Sequence, residues 1–466
     1  MSARSEFRRR VAAGLADTRV VEAVHRATLH KFELRQQAMA ELRDYEALAD
    51  LAARIKGHTI ENLPRYLEQF ISAAETSGAR VHFAADAAAV RRIVREIAEE
   101  GGSRLAVKSK SMVTEEIELN DALEAAGVRT VETDLGEFIV QLDHDRPSHI
   151  VTPIIHKDRR QVAETMAREI GCEYTEDPEE LTAIARRHLR DIFRRCDLGI
   201  SGVNFAIAET GSLCICTNEG NGRMTTTRPR VHVAVMGTEK LLPRMRDLPV
   251  FLKLLARSST GQPLTVYTTL VTGPKRPTDP DGPEELHVVL LDNGRFDLLG
   301  GPYADVLRCI RCGACLNACP VFRNIGGHAY GSVYPGPIGS VLTPLLSGVG
   351  EFGELPRASS LCGLCRVVCP VKIDIPALLV KLRERTWRRQ PLGKRLAMTG
   401  WRQVVRSAPL FDMVQRVFPR LLRRQRDGWI RRGYGPVGEW LKVRDLPPPP
   451  EKSFRRRWRE GLENEA

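Results

Sequence analysis

The 466-residue chain is 42% hydrophobic and 27% charged, which is ordinary globular material for two to four domains. No apolar run reaches the length of a membrane span, and the first ten residues, Met-Ser-Ala-Arg-Ser-Glu-Phe-Arg-Arg-Arg, have no apolar signal core. A spanning helix and a disulfide framework are therefore disfavoured, and a cytoplasmic chain with free thiols is expected, with any membrane contact peripheral at the inner face. The formal net charge of +12 is a property of one end: residues 381–466 hold 23 Lys+Arg against 9 Asp+Glu.

Residues 1–75 read as a helical N-terminal region. Phe7, Val11, Val20, Val21 and Val24, then Leu42, Leu48, Leu51 and Ile55, recur at helical spacing among charged residues, which predicts two or three amphipathic helices packed on something. From Gly78 the rhythm changes to short apolar runs alternating with helical segments. Strands are expected at residues 81–84, 105–107, 128–131 and 149–151, each followed by a helix, and further strands at 204–207, 212–217, 231–235, 265–270 and 286–291. Such βα alternation argues for an α/β domain over residues 76–298, built on a parallel sheet with helices on both faces.

Open α/β sheets bind ligands beyond the carboxyl ends of their strands. Lys108-Ser109-Lys110-Ser111 falls at such a turn and suits a carboxylate or phosphate; the plainer alternative is a solvated turn whose hydroxyl caps the next helix. Glu209-Thr210-Gly211-Ser212 and the segment from Thr217 to Arg223 bracket the next candidate, whose plain reading is a hairpin with Gly-rich turns. Cys214 and Cys216 share one face of the strand between them and read as small buried apolar residues. Gly348-Val-Gly350-Glu-Phe-Gly353 matches G-x-G-x-x-G, but it follows no strand and is taken as loop.

Residues 299–386 carry the strongest signal. Cys309, Cys312, Cys315 and Cys319 stand at C-x2-C-x2-C-x3-C followed by Pro320, and Cys362, Cys365 and Cys369 at C-x2-C-x3-C followed by Pro370. This is an iron–sulfur spacing, in which the last Cys of each motif serves the other cluster. The crossed rule assigns Cys309, Cys312, Cys315 and Cys369 to one 4Fe–4S cluster and Cys319, Cys362 and Cys365 to a second. Aligning the motifs puts Ser359 where Cys309 stands, so the second cluster has one corner open to Ser359 oxygen, another thiol or an exogenous ligand, or is a 3Fe–4S cluster. Two zinc knuckles are the competing reading, and the interleaved Cys-Pro endings disfavour them.

Residues 387–466 form a basic tail, expected to be helical, with all five tryptophans (Trp387, Trp401, Trp429, Trp440, Trp458) among its arginines and an apolar face through Val404, Val405, Leu410, Phe411, Val414, Val417 and Leu421. Trp and Arg together favour interfaces. An acidic partner subunit or an anionic membrane surface is the expected partner; no nucleic-acid-binding motif accompanies the charge.

The α/β segment with Lys108-Ser109-Lys110-Ser111-Met112, Glu209-Thr210-Gly211-Ser212 and Thr217-Asn218-Glu219-Gly220-Asn221, followed by the two cysteine motifs and the Trp/Arg tail, resembles the lactate utilization protein B family over nearly the whole chain. The resemblance implies a LUD domain with a fold like the NagB/RpiA/CoA-transferase group and two 4Fe–4S clusters on seven cysteines. It also implies a part in oxidising L-lactate to pyruvate with lactate utilization proteins A and C. Three functions compete: an electron-transfer subunit, a self-contained isomerase or CoA-transferase-like enzyme with Glu209 as base or nucleophile and structural clusters, and a non-catalytic scaffold of a redox complex.

Overall fold

The computed structural model describes residues 3–421, 428–433, 435–442, 444–448, 450 and 452–461. It divides into two compact units, Met1–Arg385 and Thr386–Ala466.

In the first unit ten strands follow four N-terminal helices. The strands are β1 (Arg80–Ala84), β2 (Leu105–Lys108), β3 (Arg129–Glu132), β4 (Leu198–Gly202), β5 (Phe205–Ile207), β6 (Ser212–Thr217), β7 (Val231–Gly237), β8 (Leu241–Leu242), β9 (Tyr267–Val271) and β10 (Glu285–Leu291). Six of them make a wholly parallel sheet in the order β1-β10-β7-β4-β2-β3. Its central strand β7, Val-His-Val-Ala-Val-Met-Gly, is buried at every position, as a parallel strand covered on both faces must be. One face packs on the helix Ala87–Glu100 through Val90, Val94 and Ile97, and the other on a helix carrying Leu63, Leu67 and Phe70. A smaller mixed sheet, β8-β5-β6-β9, stands beside it.

The hairpin between β5 and β6 turns through Glu209-Thr210-Gly211. Gly211 has φ +67, and a Cβ there would lie 2.4 Å from the Ala74 nitrogen, so both the turn and the helix beneath it require glycine. Residues 217–223 do not form a second turn of the same kind; they lead into a helix, Asn221–Thr227.

Two expectations fail for local reasons. Residues 149–151 form no strand, because the His149 Nδ1 accepts from the Val151 and Thr152 N–H groups at 3.0 and 3.1 Å and closes a turn. Conversely, β4 has only Leu198 and Ile200 as large apolar residues and does not read as a strand. Its glycines are steric necessities, since a Cβ on Gly199 would meet the Thr225 carbonyl at 2.1 Å. The segment 348–353, taken as loop, contains a one-turn helix, Val349–Phe352.

The N-terminal region forms four helices, α1 (Ala3–Ala16), α2 (Thr18–Ala40), α3 (Tyr45–Glu61) and α4 (Leu63–Thr76). What they pack on is the cysteine segment and the small sheet: Val24, Ala52 and Ile60 share one core with Phe205, Ile207, Leu316, Phe322 and Leu379. Arg35 of α2 donates to the Val368 carbonyl at 3.0 Å, and Arg10 of α1 to that of Ala329 at 3.3 Å.

The second unit contains the helices Leu392–Arg406, Ala408–Leu421, Gly435–Trp440 and Phe454–Arg459. Leu392, Leu396, Trp401, Val405, Met413 and Val417 are exposed on the first two, amid arginines; the Leu421 side chain lies outside the described residues. No described helix is long and apolar enough to cross a membrane.

Candidate functional site

The two cysteine motifs share one backbone design. In the first, Arg311 and Gly313 both take left-handed conformations (φ 60 and 75) around Cys312, and the short helix Ala314–Ala318 then carries Cys315. In the second, Leu361 and Gly363 (φ 56 and 85) flank Cys362, and the helix Leu364–Val367 carries Cys365. Two left-handed residues bracketing a cysteine curl the chain into a loop whose sulfurs converge, at a conformational cost for Arg311 and Leu361 that a plain turn has no reason to bear. The Cys309 Sγ accepts from the Arg311 N–H at 3.4 Å, and at the matching position the Ser359 Oγ accepts from the Leu361 N–H at 3.1 Å.

The seven thiols fall into two overlapping neighbourhoods, joined where Cys315 comes within reach of Cys365. Cys312 lies within electrostatic reach of Cys309 and Cys369, and Cys315 of those three and of Cys365; Cys319 lies within reach of Cys362, and Cys365 of both. Cys312, Cys315, Cys319, Cys365 and Cys369 are buried, Cys309 partly so, and Cys362 is exposed. Burial pushes the Cys312 and Cys365 thiols up to about 12 and Cys369 to about 11, so ionised sulfur there needs a cationic partner.

The residues fit an iron–sulfur group. Backbone N–H groups of Phe322 and Ile373 point at the Cys319 and Cys369 sulfurs at 3.5 and 3.4 Å, the donors that thiolate ligands require. Tetrahedral zinc, with bonds of about 2.3 Å, would draw its sulfurs to about 3.8 Å from one another. Among the described residues no three cysteine sulfurs come within 4.8 Å of each other, which is wider than a preformed single-zinc site.

Against the first thiol group opens a cavity of about 490 Å³, within the range of small-molecule sites. It lies beyond the carboxyl ends of β2, β3, β4 and β7, where the topology of a parallel sheet puts it. Ser109, Lys110 and Ser111 follow β2, Asp134 follows β3, Asn204 follows β4, and Lys240 follows β7; Thr217, Asn218 and Glu219 close one side, and Arg311, Cys312 and Tyr334 the other. The small residues of β4 make the room: a Cβ on Gly202 would lie 2.6 Å from the Ser111 Oγ.

The sequence candidates divide accordingly. Of residues 108–111, Ser111 caps its helix by accepting from Thr114 N–H and lines the cavity with Ser109 and Lys110, but the turn is not solvated, since Lys108, Ser109 and Ser111 are buried. Lys108 does not reach the cavity; the ammonium is buried between Glu115 and Glu132 at 2.7 and 2.6 Å. Cys214 is a buried apolar residue as expected, whereas Cys216 lines the cavity, 3.9 Å from it sulfur to sulfur. Glu209 is exposed, accepts from the Met245 N–H at 2.9 Å, and has no part in the cavity wall.

Sequence reasoning missed a buried charge network that reaches the cavity wall at Arg311 and Tyr334. Arg295 is fully buried and donates to Glu239 at 2.7 Å and Glu116 at 2.8 Å; the Tyr334 hydroxyl donates to the same Glu116 oxygen at 2.6 Å, and the Arg311 guanidinium lies 4.8 Å from the Tyr334 ring centroid. Arg311 adds a bond to Glu239 at 3.3 Å. Burial opposes ionisation of Glu239, but Arg295 and Arg311 outweigh it and hold the carboxyl at about 2. Lys240 marks a detectable signal, since it follows the strand at 231–235 at its carboxyl end.

Beneath the cavity, Glu137 is buried with both carboxylate oxygens unpartnered. Burial, then the charge of Glu132, raises it well above the ordinary carboxylate range. A raised folded-state value means that stability falls as pH climbs from about 4.3 towards that value. Glu137→Gln is therefore expected to raise the melting temperature at pH 8 and to leave it nearly unchanged at pH 4.5; equal loss at both would show that the carboxyl is needed as such.

Three family models match in succession: the LUD domain over residues 67–291, the 4Fe-4S dicluster domain over 305–373, and the C-terminal region of lactate utilisation protein B over 380–462. Lactate utilization protein B 1 from Bacillus mycoides is 46% identical over 453 residues, covering 96% of this chain and 94% of its own length. The chain belongs to the lactate utilization protein B family. A second member, from Bacillus licheniformis, is 45% identical over 455 residues, covering 97% of this chain and 95% of its own. A solved DUF162 family protein from Deinococcus radiodurans aligns with 49% of this chain and 98% of its own at 14% identity, with a TM-score of 0.27. In this family member the cysteine segment is thus an iron–sulfur domain, set against a LUD domain with a parallel sheet.

Proposed function

We propose that this chain is the iron–sulfur electron-transfer subunit of a complex that oxidises L-lactate to pyruvate, with lactate utilization proteins A and C as partners. In this reading Cys309, Cys312, Cys315 and Cys369 hold one 4Fe–4S cluster and Cys319, Cys362 and Cys365 hold the other, while the LUD domain has a fold of the NagB/RpiA/CoA-transferase kind. The observation that carries it is the course of the thiols: Cys312 is in the cavity wall, and Cys362, in the other group, is exposed. Bound clusters would supply one-electron carriers in series, which suits a two-electron oxidation of a 2-hydroxy acid.

The chain's own residues prepare that path. Left-handed Arg311 and Leu361 aim the sulfurs, and the core shared with α2 and α3 keeps water from the first group. Leu361 and Val367 expose apolar surface beside Cys362, where a partner would dock to take electrons. The basic tail, with its exposed Trp and Leu side chains, supports attachment to a partner or to an anionic inner membrane surface of the cytoplasm. A self-contained isomerase or transferase using Glu209 draws no support from a carboxylate outside the cavity.

Anaerobic purification with and without the partner proteins, followed by electron paramagnetic resonance on adding L-lactate, tests the role. Reduced-cluster signals are expected in the complex and not in the isolated chain. Lactate oxidation by the complex with no change in the cluster signals would sink the electron-transfer role.

A further inference from the structure

We infer that the cavity holds the carboxylate of a small 2-hydroxy or 2-oxo acid between Lys240 and Arg311, so that the substrate is seated in this chain beside the first thiol group. The inference rests on the electron-transfer reading above and adds to it the place and the residues of binding.

Buried cations are ordinarily paired; the cavity wall carries Lys110, Lys240 and Arg311 against Asp134 and Glu219, and the buried charges behind it, Arg295, Lys56, Glu116 and Glu239, are taken up with one another or with backbone. Arg295 engages both Glu116 and Glu239. Lys56 is turned to backbone, donating to the Glu239 and Leu241 carbonyls. Arg311 reaches only one Glu239 oxygen, at 3.3 Å, and its Nη1 is buried with no hydrogen-bond partner. The Lys240 side chain is buried at 7% exposure and makes no hydrogen bond or ion pair among the described residues.

Both unsatisfied groups line the cavity, next to Cys312. A carboxylate offers two acceptor oxygens, one for an ammonium and one for a guanidinium N–H, and charge-assisted bonds of this kind are about twice as strong as neutral ones. Asn204, Thr217 and Ser111 in the same wall carry amide and hydroxyl groups suited to a 2-hydroxyl or 2-keto oxygen. Lys110 is a poorer candidate, because its ammonium is already bonded to the Val151 carbonyl.

A competing use of the same charges is to offset the anionic thiolates, since Cys309 lies within electrostatic reach of both Lys240 and Arg311. The two uses separate in binding. Anaerobic cluster-loaded chain, without partners, is titrated calorimetrically with oxalate, pyruvate and L-lactate in a buffer free of carboxylates. Saturable one-to-one binding is expected, weakened about tenfold or more in Lys240→Met, partly restored in Lys240→Arg, with iron content unchanged. The neutral amide of lactate is expected not to bind.

Wild-type affinity in Lys240→Met would overturn the inference, and a shift of cluster midpoint potential without loss of binding would assign the cations to the thiolates instead. If Lys240→Met fails to retain iron, lactate against its amide on the wild-type chain decides: equal affinity overturns the carboxylate site. Because the titration needs neither partners nor turnover, binding can persist where lactate-driven cluster reduction fails, and the reverse.

Discussion

Cys369→Ala is expected to remove the signal of a cluster whose other three ligands, Cys309, Cys312 and Cys315, lie more than fifty residues upstream, and to spare the cluster on Cys362 and Cys365. The electrostatic reach between Cys369 and Cys309 motivates this crossing. About half of an expected seven to eight irons should be lost. Cys319→Ala should do the converse and be the more damaging, since it strips a ligand from a group with only three thiolates. Ser359→Cys is expected to complete that group and lower its reduction potential, because the Ser359 oxygen already makes the backbone contact that Cys309 sulfur makes in the first motif. Iron counts and electron paramagnetic resonance on the three variants check the scheme. If Cys369→Ala abolishes the signal of the Cys362/Cys365 group and spares the other, each motif binds its own cluster.

How much of this was legible beforehand depends on the range of the interaction. The cysteine spacing, the alternation from β1 to β3 and the helix Leu135–Leu142 are written in local pattern, and they emerge where the pattern puts them. The strand β4 was not legible, because its glycines are explained by Thr225 and Ser111, which approach it only in the folded sheet. His149 was misread for the same reason: a ring nitrogen accepting two N–H groups turns an apolar β-branched run into a loop. The single helix expected after β2 is split into Met112–Glu116 and Leu119–Ala125 by Glu118 in a left-handed conformation, and nothing in local propensity announces it.

The cavity shows the same division. Residues 109–111 and 217–221 stood out as polar turns at strand ends, and all of them but Gly220 line it. Arg311 was passed over as a spacer between two cysteines, and Arg295 and Glu116 lie in segments with no motif at all. Their importance arises in the interior, where Arg295 and Arg311 both reach Glu239 and Glu116 reaches Arg295 across more than a hundred residues of sequence. Long-range buried charge is the component of this site that a single sequence carries least openly.

Arg295→Met is expected to destabilise the first unit by about 3–5 kcal/mol, the cost of leaving buried carboxylates without their cation. Arg295 is fully buried and is bonded to both Glu116 and Glu239, so one substitution leaves Glu116 without its cation and Glu239 with only the longer Arg311 contact. The pH dependence gives the effect a signature. In the wild type, burial raises Glu239, but Arg295 and Arg311 override it and hold the folded value at about 2. A depressed carboxylate contributes stability that is complete above its unfolded value of about 4.3 and is lost as pH falls from there through 2, so between pH 5 and 8 this group adds no slope. Without Arg295, desolvation dominates at both carboxyls, their folded values rise above 4.3, and stability should instead fall as pH climbs through that window. Adding Glu116→Gln and Glu239→Gln removes the stranded charge and should recover much of the loss, which a mutant cycle measures as coupling. Anaerobic denaturant melts at pH 5 and pH 8 check all three variants. A loss that is the same at both pH values and is not recovered by the two Gln substitutions would show that Arg295 matters through packing and not through its charge.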